Sequence, residues 1–164
     1  MTDRRFVAVW PSGSVLDTVE ALHRPVDAGG RWTRRDQWHV TLRFLGDAPL
    51  DEVVAALDGV GEGPVQAQLG PAVDLLGDSV VHVPVAGLDA LADDVVARTA
   101  GIGRPPEDRA FLGHLTLARI VGEPPPGVLG QPVSASWAVD AVHVVASHLG
   151  GTAARYETEA TIAL

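Results

Sequence analysis

Cysteine is absent from this 164-residue chain, and so is lysine, because all twelve basic residues are arginine. The absence of cysteine excludes disulfides, thiolate nucleophiles, zinc–cysteine clusters and iron–sulfur sites. No apolar run approaches the roughly eighteen residues needed to cross a bilayer. The first residues are also too poor in apolar side chains before Trp10 and Pro11 to form a signal peptide. We therefore expect a cytoplasmic protein that does not span a membrane.

Positive charge is scarce as well, with a formal net charge of −9. That balance argues against a protein that coats nucleic acid with a broad basic face. It leaves open a local pocket for a single phosphate, which the planar fork of arginine suits. The hydrophobic content of 46% is ample for a packed interior. The length predicts one domain over residues 1–164, or two small lobes that share a core.

Hydrophobic periodicity predicts a mixed order of strands and helices. The expected helices cover 12–23, 51–60 and 87–100, and the expected strands cover 5–11, 38–46, 65–69, 79–85, 113–120, 134–139, 140–149 and 155–164. This order favours an α+β fold over a doubly wound parallel sheet.

Two of the predicted strands carry the same His-x-Thr-Leu pattern, as WHVTLRFLG at 38–46 and GHLTLARI at 113–120. Side chains alternate between the two faces of a strand. One face of the first copy therefore holds His39, Thr41 and Arg43, and one face of the second holds His114 and Thr116. The apolar residues between them, Phe44 included, fall on the opposite face, toward a core.

A single His-x-Thr pair is typical of an ordinary half-exposed strand, but two copies in the same context favour a function. Burying imidazole and hydroxyl groups without partners would cost about 1–3 kcal/mol each. The polar faces should therefore line a wet cleft. The two histidines are 75 positions apart (39 to 114), and each motif strand follows a helix and a polar loop containing arginines. This spacing would fit two similar lobes that face each other.

Displacement at a phosphodiester is the chemistry that needs two histidines and two threonines. In-line attack requires a base on one side of phosphorus and an acid on the other. The usual pKa of histidine, near 6.5, lets one imidazole be neutral while the other is charged. Hydroxyl groups and an arginine can hold the non-bridging oxygens, where charge develops. Neither a metal ion nor a nucleotide cofactor is required.

The paired motifs resemble those of the 2H phosphoesterase superfamily. With the dipeptide at 31–32, the segment RAFLGHLTLARI and the late segment SHLGGTAARY, they resemble the LigT-like RNA 2′,3′-cyclic phosphodiesterases, also called the ThpR family. The resemblance covers nearly the whole chain. It implies a bilobal α+β fold of two pseudo-symmetric lobes, with mainly antiparallel sheet, helices outside, and a central cleft that takes one motif from each lobe.

The resemblance also implies an activity. Members hydrolyse a 2′,3′-cyclic phosphate at an RNA 3′ end and leave a 2′-phosphomonoester, and some join RNA halves through a 2′–5′ linkage without ATP. The implied partner is thus an RNA 3′ end with a cyclic phosphate. We expect no cofactor, no metal ion and no protein partner, and we expect a monomer.

Residue roles follow from the resemblance by position. His39 would be the acid that expels O3′ and His114 the base that activates water, while Thr41 and Thr116 would hydrogen-bond the phosphate. Arg119, five residues after the second histidine, would bind a phosphate oxygen.

Three further positions complete the expected site. Phe44 would stack on a base, again by resemblance, and Arg43 would bind substrate from the polar face of its strand. The family commonly has proline before the second histidine, where this chain has Gly113. Because glycine is conformationally permissive, we expect His114 to be held less firmly.

Other histidines have simpler interpretations. His82 is expected to be a strand-surface or hydrogen-bonded core histidine, and the odd spacing of His143 and His148 disfavours a shared metal. Arg104 and Arg109 either carry solvated loop charge or guide an RNA end.

Two alternative functions remain. One is a 2H enzyme for another small cyclic phosphate or a 2′–5′ linkage. The other is a non-catalytic module that grips phosphorylated RNA ends, although binding alone would need neither an acid nor a base.

Overall fold

The computed structural model of the protein describes residues 4–26, 30–150 and 154–164. The segment DAGG at 27–30 predicts a turn from its sequence, and most of it falls outside this part of the chain. Three α-helices are present in it: α1 (Gly13–Glu20), α2 (Leu50–Leu57) and α3 (Asp89–Thr99). The strands are β1 (Arg4–Val9), β2 (Gly30–Trp32), β3 (Val40–Asp47), β4 (Val65–Leu69), β5 (Asp74–Leu76), β6 (Val80–Ala86), β7 (His114–Ile120), β8 (Ala135–Val139), β9 (Ala141–His148) and β10 (Arg155–Ala163).

Eight of the strands follow each other in the order β10-β9-β1-β3-β7-β6-β4-β8, while β2 pairs with β7 and β5 with β6. All pairings between these strands are antiparallel. The two motif strands, β3 and β7, lie side by side at the centre of the sheet. Four of these eight strands therefore belong to each half, β2 and β5 extend the second half, and the first half contains both β1 and β10.

The helices pack against this sheet through short apolar stripes. Each contributes two or more fully buried aliphatic side chains to one continuous core: Val15 and Val19, Val53 and Leu57, and Leu91 and Val95. Burial of such a side chain contributes about 1.5–3 kcal/mol. None of the helices in the described ranges is long and apolar enough to cross a membrane.

Both motif strands contain a β-bulge at the same distance from their histidine. In the β1–β3 ladder, Ala8 pairs with Thr41 and Val7 with Arg43, so Leu42 has no partner. In the β6–β7 ladder, His82 pairs with Thr116 and Val81 with Ala118, which leaves out Leu117. A bulge inserts one residue and so reverses the alternation of faces beyond it. The positions that follow each bulge therefore change sides relative to a regular strand.

Candidate active site

The two motifs meet at the junction of β3 and β7, where Val40 pairs with Leu115. Continuing this antiparallel register by one residue in each direction sets Thr41 opposite His114 and His39 opposite Thr116. Each histidine therefore neighbours the threonine of the other copy. The fold therefore brings the two His-x-Thr motifs together, as expected if each motif belongs to one of two lobes that face each other.

His39 is enclosed by aromatic rings. The centroids of Phe6, Tyr156 and Trp10 lie 5.0, 5.2 and 5.6 Å from that of the imidazole. Nδ1 donates a hydrogen bond to the carbonyl of Gln37 at 2.6 Å. In the neutral ring Nε2 therefore carries the lone pair, and it accepts from Thr41 Oγ1 at 2.9 Å. The ring is thus fixed in one tautomer and one orientation.

Burial among these rings lowers the pKa of His39, because the charged imidazolium loses hydration. The hydrogen bond to Gln37 opposes this shift, and the nearby charge of His114 adds to it. The electrostatic effect of His114 also indicates that the two imidazoles share one environment. Without substrate, His39 favours its neutral form, which can accept a proton.

His114 is held differently. Its Nδ1 donates to the carbonyl of Leu112 at 2.7 Å, which again leaves Nε2 as the available nitrogen. The ring lines the cleft and is more open than that of His39. Both histidines thus anchor Nδ1 on the backbone two residues upstream, and Nε2 of His39 also binds the hydroxyl of Thr41.

The bulges decide which later residues reach the cleft. Phe44 and Arg119 each follow their motif histidine by five positions, and both are exposed in the cleft wall. The expectation that Phe44 lies on the core face is therefore wrong, because the bulge at Leu42 turns it outward. The equivalent bulge at Leu117 brings Arg119 to the side of the histidine, which simple alternation does not predict.

Regular alternation predicts Arg43 on the polar face of β3. This prediction is also wrong, because the bulge at Leu42 turns Arg43 to the opposite face. Its side chain is only 5% exposed. The guanidinium donates to the carbonyls of Arg104, Phe44, Thr99 and Ile102 at 2.7–3.2 Å, and to Thr99 Oγ1 at 3.3 Å. These bonds tie the loop after α3 to β3. Arg43 is thus engaged in structure rather than free to bind substrate.

The cleft has a volume of about 540 Å³. Arg104 lies in its wall with its guanidinium carbon 5.6 Å from the centroid of Phe44, a cation–π distance. The other lining residues come from β3, β5, β7, α3 and the loop before β7: Thr41, Leu42, Arg43, Leu76, Asp93, Val96, Pro105, Pro106, Glu107, Arg109, Ala110, Phe111, Leu112, His114 and Arg119. The cleft thus offers arginines and an aromatic face beside an imidazole.

Comparison with known proteins gives a consistent answer. The sequence profile of the LigT like Phosphoesterase family matches residues 9–70. An RNA 2′,3′-cyclic phosphodiesterase of Aquifex aeolicus (strain VF5) is 29% identical over 132 residues, covering 71% of this chain and 70% of that protein. The structure of E. coli LigT complexed with 3′-AMP aligns at a TM-score of 0.78 and 26% identity, covering 100% of this chain and 99% of the other. A protein of Thermus thermophilus aligns at a TM-score of 0.80 and 26% identity, covering 98% of this chain and 97% of the other.

The chain is similar in sequence and in fold to the LigT-like phosphoesterases. This confirms the resemblance seen in the two motif strands, and the structural matches confirm the predicted α+β fold with its antiparallel sheet.

The sequence analysis missed the aromatic rings around His39. Phe6 and Trp10 lie on or just after the first strand, and Tyr156 begins the last one. The pKa of Tyr156 is raised by burial, and the charge of Arg119 partly opposes the shift. Tyr156 therefore contacts the ring of His39 and is also influenced by the charge of the cleft arginine. Its place at the end of SHLGGTAARY was a usable signal, since that segment already carried part of the family resemblance.

Gly113 lies close to the backbone of β6. Its carbonyl accepts a hydrogen bond from Val85 N at 2.9 Å. A Cβ added here would lie 2.3 Å from the carbonyl oxygen of Val85. The close approach of β6 therefore needs a residue without a side chain at this position, while how firmly His114 is held stays a prediction.

Among the described residues of the LigT-like fold, no group of three or more His, Asp or Glu side chains gathers as a metal site would require. His143 bonds Thr161 at 3.0 Å, and His148 pairs with Glu157 at 3.0 Å. Both histidines therefore have partners on the last two strands. Arg109 forms an ion pair with Glu107 at the rim of the cleft.

Proposed function

We propose that the protein hydrolyses a terminal 2′,3′-cyclic phosphate of RNA to a 2′-phosphomonoester, with His39 and His114 as a metal-independent acid–base pair. One observation carries the proposal. The motif strands β3 and β7 are neighbours, and His114 and Thr41 line the cleft. The two imidazoles at the junction of these strands each bind a backbone carbonyl through Nδ1, which makes Nε2 the nitrogen proposed for the chemistry. Such a pair supplies the acid and the base that in-line displacement requires.

The proposed step breaks the bond between phosphorus and O3′. Nε2 of His114 takes a proton from water as the water oxygen bonds to phosphorus, and Nε2 of His39 gives a proton to O3′ as it leaves. The bond to O2′ is kept, so the product is a 2′-phosphomonoester. The hydroxyls of Thr41 and Thr116 and the guanidinium of Arg119 hold the non-bridging oxygens, where negative charge increases.

The direction of proton transfer follows the family resemblance and depends on substrate. Without substrate, burial lowers the pKa of His39 and favours its neutral form. An anionic phosphodiester beside the ring favours the charged form. His39 therefore acts as the acid only after substrate binding has raised its pKa again. This predicts that His39 takes up a proton from solvent as the anionic substrate binds, and later delivers that proton to O3′.

A terminal base is proposed to stack on Phe44. Its ring is 38% exposed, a large value for an aromatic side chain, and Arg104 covers one side of it. Stacking on an aromatic ring contributes about 1–3 kcal/mol per base and tolerates any base. This suits an enzyme that recognises an RNA end rather than a sequence. We also propose that the reverse reaction, 2′–5′ ligation, uses the same groups, and that the protein acts as a cytoplasmic monomer without a protein partner.

The test is incubation with an oligoribonucleotide that ends in a 2′,3′-cyclic phosphate, in the presence of EDTA, followed by analysis of the end group. A 2′-phosphomonoester is expected, and the same RNA ending in a 3′-phosphate serves as the unreactive control. No turnover would overturn the function, and activity only after addition of a divalent metal would overturn the mechanism.

The two alternative functions give other results in the same experiment. An enzyme for a different substrate would leave the RNA end intact but cleave 2′–5′ linked oligonucleotides or small cyclic phosphates. A binding module would retain the labelled RNA without converting it. Both intact His-Thr pairs favour catalysis over binding alone.

A further inference from the structure

His82 takes no part in the chemistry proposed above, yet its ring lies against that of His114. The two ring centroids are 5.6 Å apart and the ring planes meet at 86°, an edge-to-face contact. In the β6–β7 ladder His82 pairs with Thr116, and Pro84 pairs with His114. Because cross-strand partners share a face of the sheet, His82 lies on the same face as both motif residues.

The surroundings of His82 differ from those expected for a core histidine with satisfied hydrogen bonds. Its side chain is 4% exposed, and Nδ1 is fully buried without a well-aligned hydrogen-bond partner among the described residues. Leaving a buried polar group unpaired costs about 1–3 kcal/mol. An apolar side chain of similar shape would avoid this cost. The backbone of Val80 and of Asp74 lies near the ring without completing a well-aligned bond to Nδ1, so the hydrogen bonding of this buried ring is incomplete. Its neighbour is half of the proposed acid–base pair.

His114 has fewer other restraints than its counterpart. Three aromatic rings and two hydrogen bonds hold His39. One hydrogen bond holds His114, and it goes to the carbonyl of Leu112, a loop residue whose side chain is 54% exposed. Among the described residues, the ring that packs against His114 is that of His82. His82 therefore packs against His114 as the three aromatic rings pack against His39.

The charged groups that face His82 favour a neutral ring. Burial lowers the pKa of His82 first, and the charge of His114 on β7 lowers it further. The backbone carbonyl of Val80, the charge of Asp74 on the adjacent β5 and the Asp74 backbone act in the opposite direction. Near neutral pH His82 therefore offers His114 an uncharged ring edge rather than a second cation.

We propose that His82 is a positioning residue that holds the His114 imidazole in the orientation where Nδ1 binds Leu112 and Nε2 remains available in the cleft. It has no contact with substrate. The kinetic part of this inference rests on the proposed cyclic phosphodiesterase activity, and the spectroscopic part does not.

The experiment compares His82→Ala, which removes the ring, with His82→Phe, which keeps a flat ring of similar size. Misplacement of a catalytic group by about 1 Å can cost about a hundredfold in rate. We expect His82→Ala to lower kcat by roughly tenfold to a hundredfold and to leave KM within about twofold of wild type. His82→Phe should restore kcat to within about threefold of wild type. Val83→Ala, which truncates a fully buried residue on the other face of β6, controls for weakened packing and should keep the wild-type kcat.

A second measurement follows the side chain of His114 by long-range ¹H–¹⁵N NMR. Wild type and His82→Phe should show a single Nδ1–H tautomer, and His82→Ala should show averaging of tautomers. If His82→Ala is unfolded, His82→Val, which suits a strand and also removes the ring contact, carries the same expectation. Wild-type kcat in the alanine or valine variant would overturn the proposal, and so would a raised KM with unchanged kcat, the pattern of a lost substrate contact. Should the wild-type protein prove inactive on cyclic phosphates, the proposed function fails, while unchanged His114 signals in His82→Ala would separately overturn the role of His82.

Discussion

Phe44 and Arg119 occupy equivalent positions in the two halves of the sheet, each five residues after its motif histidine and two after an unpaired leucine. The repeated unit is therefore longer than His-x-Thr. It also includes a bulge and the residue five positions after the histidine, whose side chain lines the cleft. One copy uses that position for an aromatic ring and the other for a guanidinium. The two halves share a backbone plan but present different side chains to the cleft.

Replacement of either motif histidine by alanine should reduce kcat by roughly 10²–10⁴, because each removes one proton-transfer partner. His39→Ala and His114→Ala should both remain folded, as judged by circular dichroism. The double variant should lose little more than the worse single variant, since the pair acts as a unit. Near-normal turnover in either single variant would show that its acid–base role is wrong.

Arg119→Ala should lower kcat/KM by about 10²–10³, the usual effect of removing a donor from developing negative charge. Arg119→Lys should recover only part of the loss, because an ammonium cannot bind two oxygens through a planar fork. Arg98→Ala is the control, since that arginine pairs with Asp94 and with carbonyls near α2 rather than with the cleft. Equal losses in both variants would point to lowered stability instead of phosphate binding.

Arg43→Met should lower the free energy of unfolding by about 3–5 kcal/mol, because several backbone carbonyls of the loop after α3 lose a buried cationic donor. Urea denaturation measures this change. Thr99→Val, which removes only one of the partners, should cost less. If Arg43 instead bound substrate, its replacement would raise KM and leave stability unchanged, and that result would restore the expectation drawn from the strand pattern.

Gly113→Pro would restore the residue common in the family, but it should impair this protein. The ring would bring a Cβ within 2.3 Å of the Val85 carbonyl and force β6 and β7 apart beside His114. We expect reduced kcat together with a lower midpoint of thermal unfolding. Gly101→Ala is a matched control, because nothing lies within 4 Å of a Cβ added there. A proline variant with wild-type activity and stability would contradict the close approach of the strands.

The protein should become less stable as the pH falls from about 7 toward 5. The folded-state pKa values of His39, His82 and His143 are all lowered, chiefly by burial. The histidine pKa values of the unfolded chain are near 6.5, so the unfolded chain binds more protons than the native state as the pH falls below this value. The contribution of these neutral histidines to stability is therefore complete above about pH 6.5 and is lost as the pH falls through the lowered folded-state pKa values. Asp94, whose pKa is also lowered, contributes with the same sign at more acidic pH. Urea midpoints measured at several pH values give the dependence of stability on pH. His82→Phe should reduce this dependence, because it removes one of the three histidines. Stability that rises toward pH 5 would contradict the lowered pKa values.

The sequence was sufficient for the elements that depend on local pattern. The three helices and all the longer strands follow from hydrophobic periodicity, and the histidines and threonines of the motifs follow from their repetition. The three-residue strands β2 and β5 were missed, because so short a segment has no period to detect. They are strands only because β7 and β6 offer them hydrogen-bonding edges.

The errors at the site share one physical cause. Strict alternation sets Arg43 in the cleft and Phe44 in the core, and one unpaired residue at Leu42 exchanges them. A bulge is a feature of pairing between two strands, so nothing in LRF or LAR alone reveals it. The aromatic rings on His39 escaped notice for a related reason, since Phe6 and Tyr156 are 150 positions apart in the chain and adjacent in the fold.

The placement of the first and last strands in the same half has a consequence for how the protein is made. Arg5 on β1 bonds Glu159 on β10, 154 positions later, and Tyr156 reaches His39 only when β10 has paired with β9. The half that carries the first histidine is thus begun first during synthesis and completed last, whereas β4, β6, β7 and β8 are contiguous enough to assemble earlier. Contacts over such separations are slow to form. On a ribosome the half with His114 would therefore form before the half with His39 gained its final strand, and the two motif histidines would come together only at the end of folding.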